Sequence, residues 1–202
     1  MPKKEVVKVC ILGSKSSFTS ALTHTLKSCL LHIFPESTLN SHVCCEQDFQ
    51  NLSITDEVSH RQDYNWCGKK LIIEWLDTSG TETFAEMRRM YIKNANGFII
   101  TYSMAAHESL NDVRSINDEI QSVKDCEDVP VVLVGTCKKG DEKPREVTTE
   151  QGREMANKLK CPFFEVVLHE SDQVDSIIHT LLQNVFSNRT EGEKQERDCV
   201  VM

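Results

Sequence analysis

The sequence predicts an α/β fold: a six-stranded, mostly parallel sheet with helices on both faces. Three observations predict it. Apolar, β-branched runs of strand length alternate with amphipathic segments along the 202-residue chain, the pattern of strand–helix–strand units. The run VPVVLVG, from Val129 to Gly135, is apolar throughout, as a strand covered on both faces must be. Gly68 falls between two adjacent strand-like runs and adds one antiparallel hairpin.

The elements follow in order. Val6 to Leu12 is a β-branched apolar strand, and a loop opens at Gly13. Ala21 to Leu30 carries Leu22, Leu26 and Leu30 at helical spacing and is expected to stop by Pro35. Pro35 to Asn51 has no apolar period and reads as a long polar loop, of a kind usually functional or disordered. Val58 to Trp66 and Lys70 to Leu76 are the hairpin strands. Glu82 to Lys93 predicts a helix, Gly97 to Tyr102 a strand, and Leu110 to Val123 an amphipathic helix. Beyond the strand that ends at Gly135 come a helix over Thr149 to Leu159, a strand over Cys161 to Leu168, and a last helix over Val174 to Phe186. Ser187 to Met202 is polar and charged and reads as a flexible tail. Residues 1–187 are thus expected to form one domain with an insertion at about 35–51, followed by a tail over 188–202.

Composition narrows the class. With 39% hydrophobic and 27% charged residues the chain is globular and long enough for a full core. A net charge of −8 argues against a nucleic-acid-binding surface. Nine cysteines would suggest disulfides only in a secreted context. The apolar run in MPKKEVVKVCILG is too short for a signal peptide, and no segment approaches membrane-spanning length. A cytoplasmic protein with reduced thiols is expected.

Strand, glycine loop and helix near the N-terminus form the frame of a phosphate-binding loop, G-x-x-x-x-G-K-[ST]. Gly13 takes the first glycine and Ser20 the metal-binding hydroxyl. Phe18 stands where the second glycine belongs and Thr19 where the lysine belongs. Phe18 puts a Cβ and a ring where the backbone must approach the phosphate. Thr19 supplies no charge, and Lys15, four residues early, is a poor substitute. The preferred reading is a loop that merely joins strand to helix.

Three later stretches resemble the Ras family of small GTPases, and most of all its Rap branch: DTSGTETF from Asp77, YIKNANGFIITYSM from Tyr91, and VKDCEDVPVVLVG from Val123. By element order the resemblance covers residues 5–187. It implies the P-loop small-GTPase fold, GTP or GDP with magnesium as ligand, and protein effectors or regulators bound through the switch-region surface. It also places the polar loop at the family's first switch, more than about ten residues longer than usual.

The resemblance implies roles residue by residue. Gly13, Ser20 and Ala21 fall on the phosphate loop. Asp77 and Gly80 fall on the metal-facing aspartate and the glycine that senses the γ-phosphate; a helix cap and turn is the plainer alternative for DTSG. Thr55, in SITDEV, is the candidate for the switch threonine, with a strand-edge threonine equally open. Magnesium would then be held by Ser20, Thr55 and Asp77. Thr81 takes the catalytic position of the water-orienting glutamine; the Rap branch also has threonine there, which offers no amide. The base-reading motif N-K-x-D appears as Thr136-Cys137-Lys138-Lys139. The family's aspartate accepts two hydrogen bonds from guanine, whereas Lys139 has only donors. The last base-contacting motif, S-A-K, appears as Val167-Leu168-His169, with Leu168 placed to crowd the base.

Losing a buried charged partner typically costs ~2–5 kcal/mol, and losing a hydrogen bond to a charged group ~1.5–3 kcal/mol. The lysine and aspartate losses together suggest ~4–8 kcal/mol, about three to six decades in affinity, with additivity not guaranteed. GTP binding is therefore expected to be weak.

His42, Cys44, Cys45, His60 and Cys67 bracket the inserted loop, but their spacing matches no zinc pattern well, and solvated loop residues are the plainer reading. The terminal Cys199-Val200-Val201-Met202 is a C-a-a-X box whose final methionine favours a farnesyl group on Cys199. The preceding TEGEKQERD has no polybasic patch, and one lipid without a second signal gives reversible attachment to the cytoplasmic leaflet. The expectation is a prenylated pseudo-GTPase that works by binding partners. The rivals are an active GTP-binding switch with slow hydrolysis, and a redox- or metal-sensing module built on the cysteine-rich insert.

Overall fold

A computed structural model describes residues 4–13, 59–77, 85–138, 144–168 and 173–199. Its elements are β1 (Glu5–Gly13), β2 (Ser59–Trp66), β3 (Lys69–Asp77), α1 (Ala85–Asn94), β4 (Gly97–Ser103), α2 (His107–Lys124), β5 (Val131–Lys138), α3 (Thr149–Leu159), β6 (Phe163–Leu168) and α4 (Val174–Cys199). The strands make one sheet in the order β2-β3-β1-β4-β5-β6. Only β2 runs antiparallel to its neighbour; every other adjacent pair is parallel. This is the six-stranded, mostly parallel sheet that the alternation of strands and helices predicts. The expected helix over Ala21 to Leu30 and the loop from Pro35 to Asn51 lie outside the described residues.

Side-chain alternation divides the core between two faces. Val7, Val9 and Ile11 of β1 join Ile73 and Trp75 of β3 in a cluster with Ile177, Ile178, Leu181, Leu182 and Val185 of α4. Cys10 and Leu12 point the other way, into a cluster with Phe98, Ile100 and Tyr102 of β4, Ile92 of α1, Leu110, Val113 and Ile120 of α2, and Ala156 of α3. Helices therefore cover both faces. α4 sits so close to β4 that a Cβ on Gly97 would stand 2.9 Å from Val185 Cγ2.

Local chemistry fixes the joints. Trp66 pairs with Lys69 across the hairpin, so Cys67 and Gly68 form a two-residue turn with φ of 50° and 81°. Two positive φ values give the turn that matches strand twist, although a side-chain-bearing residue there costs about 1 kcal/mol. α2 ends at Asp125 in the left-handed conformation, its N–H donating to the Gln121 carbonyl. At the start of α3 the Gln151 N–H donates to Thr148 Oγ1 (3.3 Å) and the Thr148 N–H donates to Gln151 Oε1 (2.8 Å), a reciprocal cap.

Several boundaries differ from the sequence expectation. β5 runs to Lys138 instead of Gly135, because strands on both sides continue beside it, with Ser103 facing Thr136 and Leu168 facing Lys138. α4 ends at Cys199 instead of Phe186, so residues 188–199 are helical where a tail is expected. The apolar stripe stops at Val185, but Glu, Lys, Gln and Arg are good helix formers, and Glu193 and Arg197 stand at favourable i, i+4 spacing. Among the described residues no helix is long and apolar enough to cross a membrane.

Candidate functional site

Parallel strands place their C-terminal ends on one edge of the sheet. β1 lies between β3 and β4, so chain connections diverge on either side of it, the topological switch point where open α/β sheets bind ligands. Gly13 ends β1 in register with Thr101 of β4. Asp77 ends β3, paired with Ile11. Thr136 lies near the end of β5, and Leu168 ends β6. The sheet thus brings Gly13, Asp77, Thr136 and Leu168 to a common edge. Phe18, Thr19, Ser20, Ala21, Thr55, Gly80, Thr81 and Lys139 lie outside the described residues, as do the side chains of Asp77 and Leu168.

The β4–β5 part of this edge is bonded largely to itself. Thr136 is 0% exposed, and its Oγ1 donates to the Tyr102 carbonyl at 3.0 Å. The Met104 N–H donates to the Thr136 carbonyl (2.8 Å), and the Met104 carbonyl in turn accepts from the Glu146 and Val147 N–H groups (2.9 and 3.0 Å). Thr101 Oγ1 donates to the Leu12 carbonyl at 3.2 Å, tying β4 to β1 just before Gly13. The Ser103 N–H donates to Ser109 Oγ (2.8 Å), which lies 2.6 Å from the Ala106 carbonyl. This short bridge explains why α2 begins at His107 rather than Leu110.

The fully buried Tyr102 ring packs between two glycines. A Cβ on Gly135 would stand 2.7 Å from Tyr102 Oη, and one on Gly152 would meet both that oxygen and the Phe163 ring. Burial pushes the phenol pKa upward, Glu165 adds to this, and Arg145 opposes it. Tyr102 therefore stays protonated at neutral pH and cannot serve as a base. Arg145 ion-pairs with Glu165. Its Nη2 donates to Thr149 Oγ1 (2.9 Å), which donates to Glu165 Oε2 (3.1 Å). Its Nε donates to the Val147 carbonyl (2.6 Å). These groups brace the edge and position the segment before α3.

Tyr102, Ser109, Arg145 and Glu165 carry no motif, and sequence reasoning passes over them. The only signal was the pair of small residues, Gly135 and Gly152, that make room for the ring. Among the described residues no group of three or more His, Cys, Asp or Glu side chains could hold a metal ion.

The model of the Ras family matches residues 22–187, well over half of the chain. The matched region carries five of the six strands, helices α1 to α3 and α4 as far as residue 187, on a sheet of the P-loop GTPase α/β type. The chain belongs to the Ras family of small GTPases.

Proposed function

We propose that this Ras-family signalling protein is Rap-like and acts as a pseudo-GTPase. It binds protein effectors or regulators through its switch-region surface while handling guanine nucleotide, the family's ligand, poorly. The observation that carries this reading is Thr136. At the first position of the base-reading motif, a buried hydroxyl donates into the sheet at 3.0 Å. Beside it in sequence, Lys139 offers donors where guanine also offers donors. Phe18 and Thr19 remove the flexible glycine and the cation that would cradle and neutralise the phosphates. The retained Gly13, Ser20, Asp77 and Gly80 favour a second reading, an active switch with slow hydrolysis.

Restoring the family's residues separates the two. Phe18→Gly, Thr19→Lys, Thr136→Asn, Cys137→Lys and Lys139→Asp together are expected to raise GDP affinity by about three decades or more, read by fluorescent-GDP titration. A folded fivefold variant whose affinity equals that of the parent would place the defect elsewhere.

A farnesyl group on Cys199 tethers the protein to the cytoplasmic face of a membrane. Each buried methylene contributes about 0.8 kcal/mol, yet a single chain without a second signal attaches reversibly. The acidic residues Glu191, Glu193, Glu196 and Asp198 add no attraction to an anionic leaflet. Cell fractionation is expected to find the wild type divided between membrane and cytosol, and Cys199→Ser wholly cytosolic. Identical distributions would show that Cys199 does not anchor the chain.

A further inference from the structure

We propose that Cys67 and His179 form a thiol–imidazole pair that makes Cys67 a hydroperoxide-reactive thiol. Cys67 is exposed on the β2–β3 turn, and its Sγ lies 3.8 Å from Nε2 of His179 on α4, 112 positions away in sequence. The hairpin is clamped to α4 on either side of the pair. The Trp66 ring stacks on Phe186 with centroids 4.6 Å apart and lies 6.2 Å from the His179 ring. Tyr64 Oη donates to Asp175 Oδ1 at 2.6 Å. Lys69 Nζ sits 4.6 Å over the Phe186 ring and pairs with Glu5 at 2.6 Å. Asp175, His179 and Phe186 recur at helical spacing on one side of α4, so packing presets the approach of imidazole to sulfur.

The neighbours leave His179 as the proton acceptor. Burial and the hydrogen bond to Asp175 push the Tyr64 phenol upward, so it stays protonated. Asp175 is held by that phenol. The Lys69 ammonium has no lone pair. An imidazole exchanges protons near neutral pH and can turn a neighbouring thiol into the nucleophilic thiolate. His179 takes the Cys67 proton. The thiolate sulfur then attacks one oxygen of a hydroperoxide, forming an S–O bond as the O–O bond breaks. The departing alkoxide, or hydroxide from hydrogen peroxide, leaves with the electron pair and receives the proton from the imidazolium. Sulfur is oxidised by two electrons to the sulfenic acid, and the hydroperoxide is reduced to alcohol or water.

Three of the other described cysteines differ. Cys10 is buried, and burial pushes the Cys161 thiol up to about 11. Cys126 is exposed, but the side chain it interacts with is Lys124, an ammonium that donates to the Lys93 and Ala95 carbonyls. Cys126 is therefore a demanding comparison, exposed but with an ammonium instead of an imidazole beside it. The inference does not depend on the nucleotide reading.

The test treats the full-length protein with limiting hydrogen peroxide in the presence of dimedone, which traps sulfenic acids, and compares the Cys67 and Cys126 peptides by mass spectrometry. Cys67 is expected to be labelled at least about fivefold faster than Cys126. His179→Asn and His179→Ala are expected to bring Cys67 down to the Cys126 rate without moving Cys126. His179 is exposed, and a thermal melt verifies that both variants keep the fold. Equal labelling of the two cysteines in the wild type overturns the inference whatever the variants do. Unchanged Cys67 labelling in both variants overturns the role of His179.

Discussion

The two halves of the sheet edge treat the family's chemistry differently. On the β1–β3 half, the strands end at Gly13 and Asp77, the residues to which the proposed reading gives the family's phosphate and metal roles. On the β4–β6 half, the residue that the same reading puts at the base-reading position is absorbed into the packing: Thr136 is buried and its hydroxyl bonds the neighbouring strand. Tyr102 fills the space between Gly135 and Gly152, and Arg145, Thr149 and Glu165 close the flank. Both halves stand on the same continuous sheet. A fold held by buried strands does not need its ligand-reading residues, so those positions can be turned to structural use without loss of the scaffold.

This contrast implies that the β4–β6 half resists perturbation through buried groups that prefer to stay neutral. The Cys161 thiol is raised from an ordinary 9.0 to about 11 by burial, and the Tyr102 phenol is pushed the same way. A raised folded-state pKa means that the native state keeps its proton longer than the unfolded chain. The stability this confers is full below pH 9 and lost as pH rises through about 11. Urea unfolding between pH 8 and pH 11 is expected to show a fall of up to about 2 kcal/mol from Cys161. Cys161→Ala makes the slope shallower. An equal slope in wild type and variant would mean that partial burial does not hold the Cys161 thiol neutral.

A smaller effect isolates Thr136 itself. Thr136→Val keeps the shape and removes the donor to the Tyr102 carbonyl. A net loss of about 1 kcal/mol is expected, measured by chemical denaturation, with switch-surface partner binding unchanged. No loss of stability would show that the hydroxyl has no structural task, and would weaken the claim that this position has left nucleotide recognition.

Much of the scaffold was legible in the sequence because its signal is local. The apolar run in β1, the Gly68 turn and the buried run in β5 each announce themselves within a few residues. The last helix runs past the sequence expectation because its extension carries no apolar period; only propensity and charge spacing mark it. The end of β5 was misplaced because a strand's length depends on the strands beside it, here β4 and β6. Of the candidate site, Gly13 comes from the phosphate-loop pattern and Asp77, Thr136 and Leu168 from the resemblance to the Ras family, and the sheet brings their strand ends together. Tyr102 and the Cys67–His179 contact were not legible. The first is defined by the glycines around it, and the second joins residues 112 positions apart.

The central claim is that the chain does not hold guanine nucleotide as a working switch does. Denaturing the gently purified full-length protein and quantifying released GDP and GTP by chromatography tests it most directly. Phe18, Thr19, the sheet-bonded Thr136 and Lys139 predict little or no nucleotide in the supernatant. Stoichiometric release of GDP or GTP would contradict the account and establish an active nucleotide-binding switch.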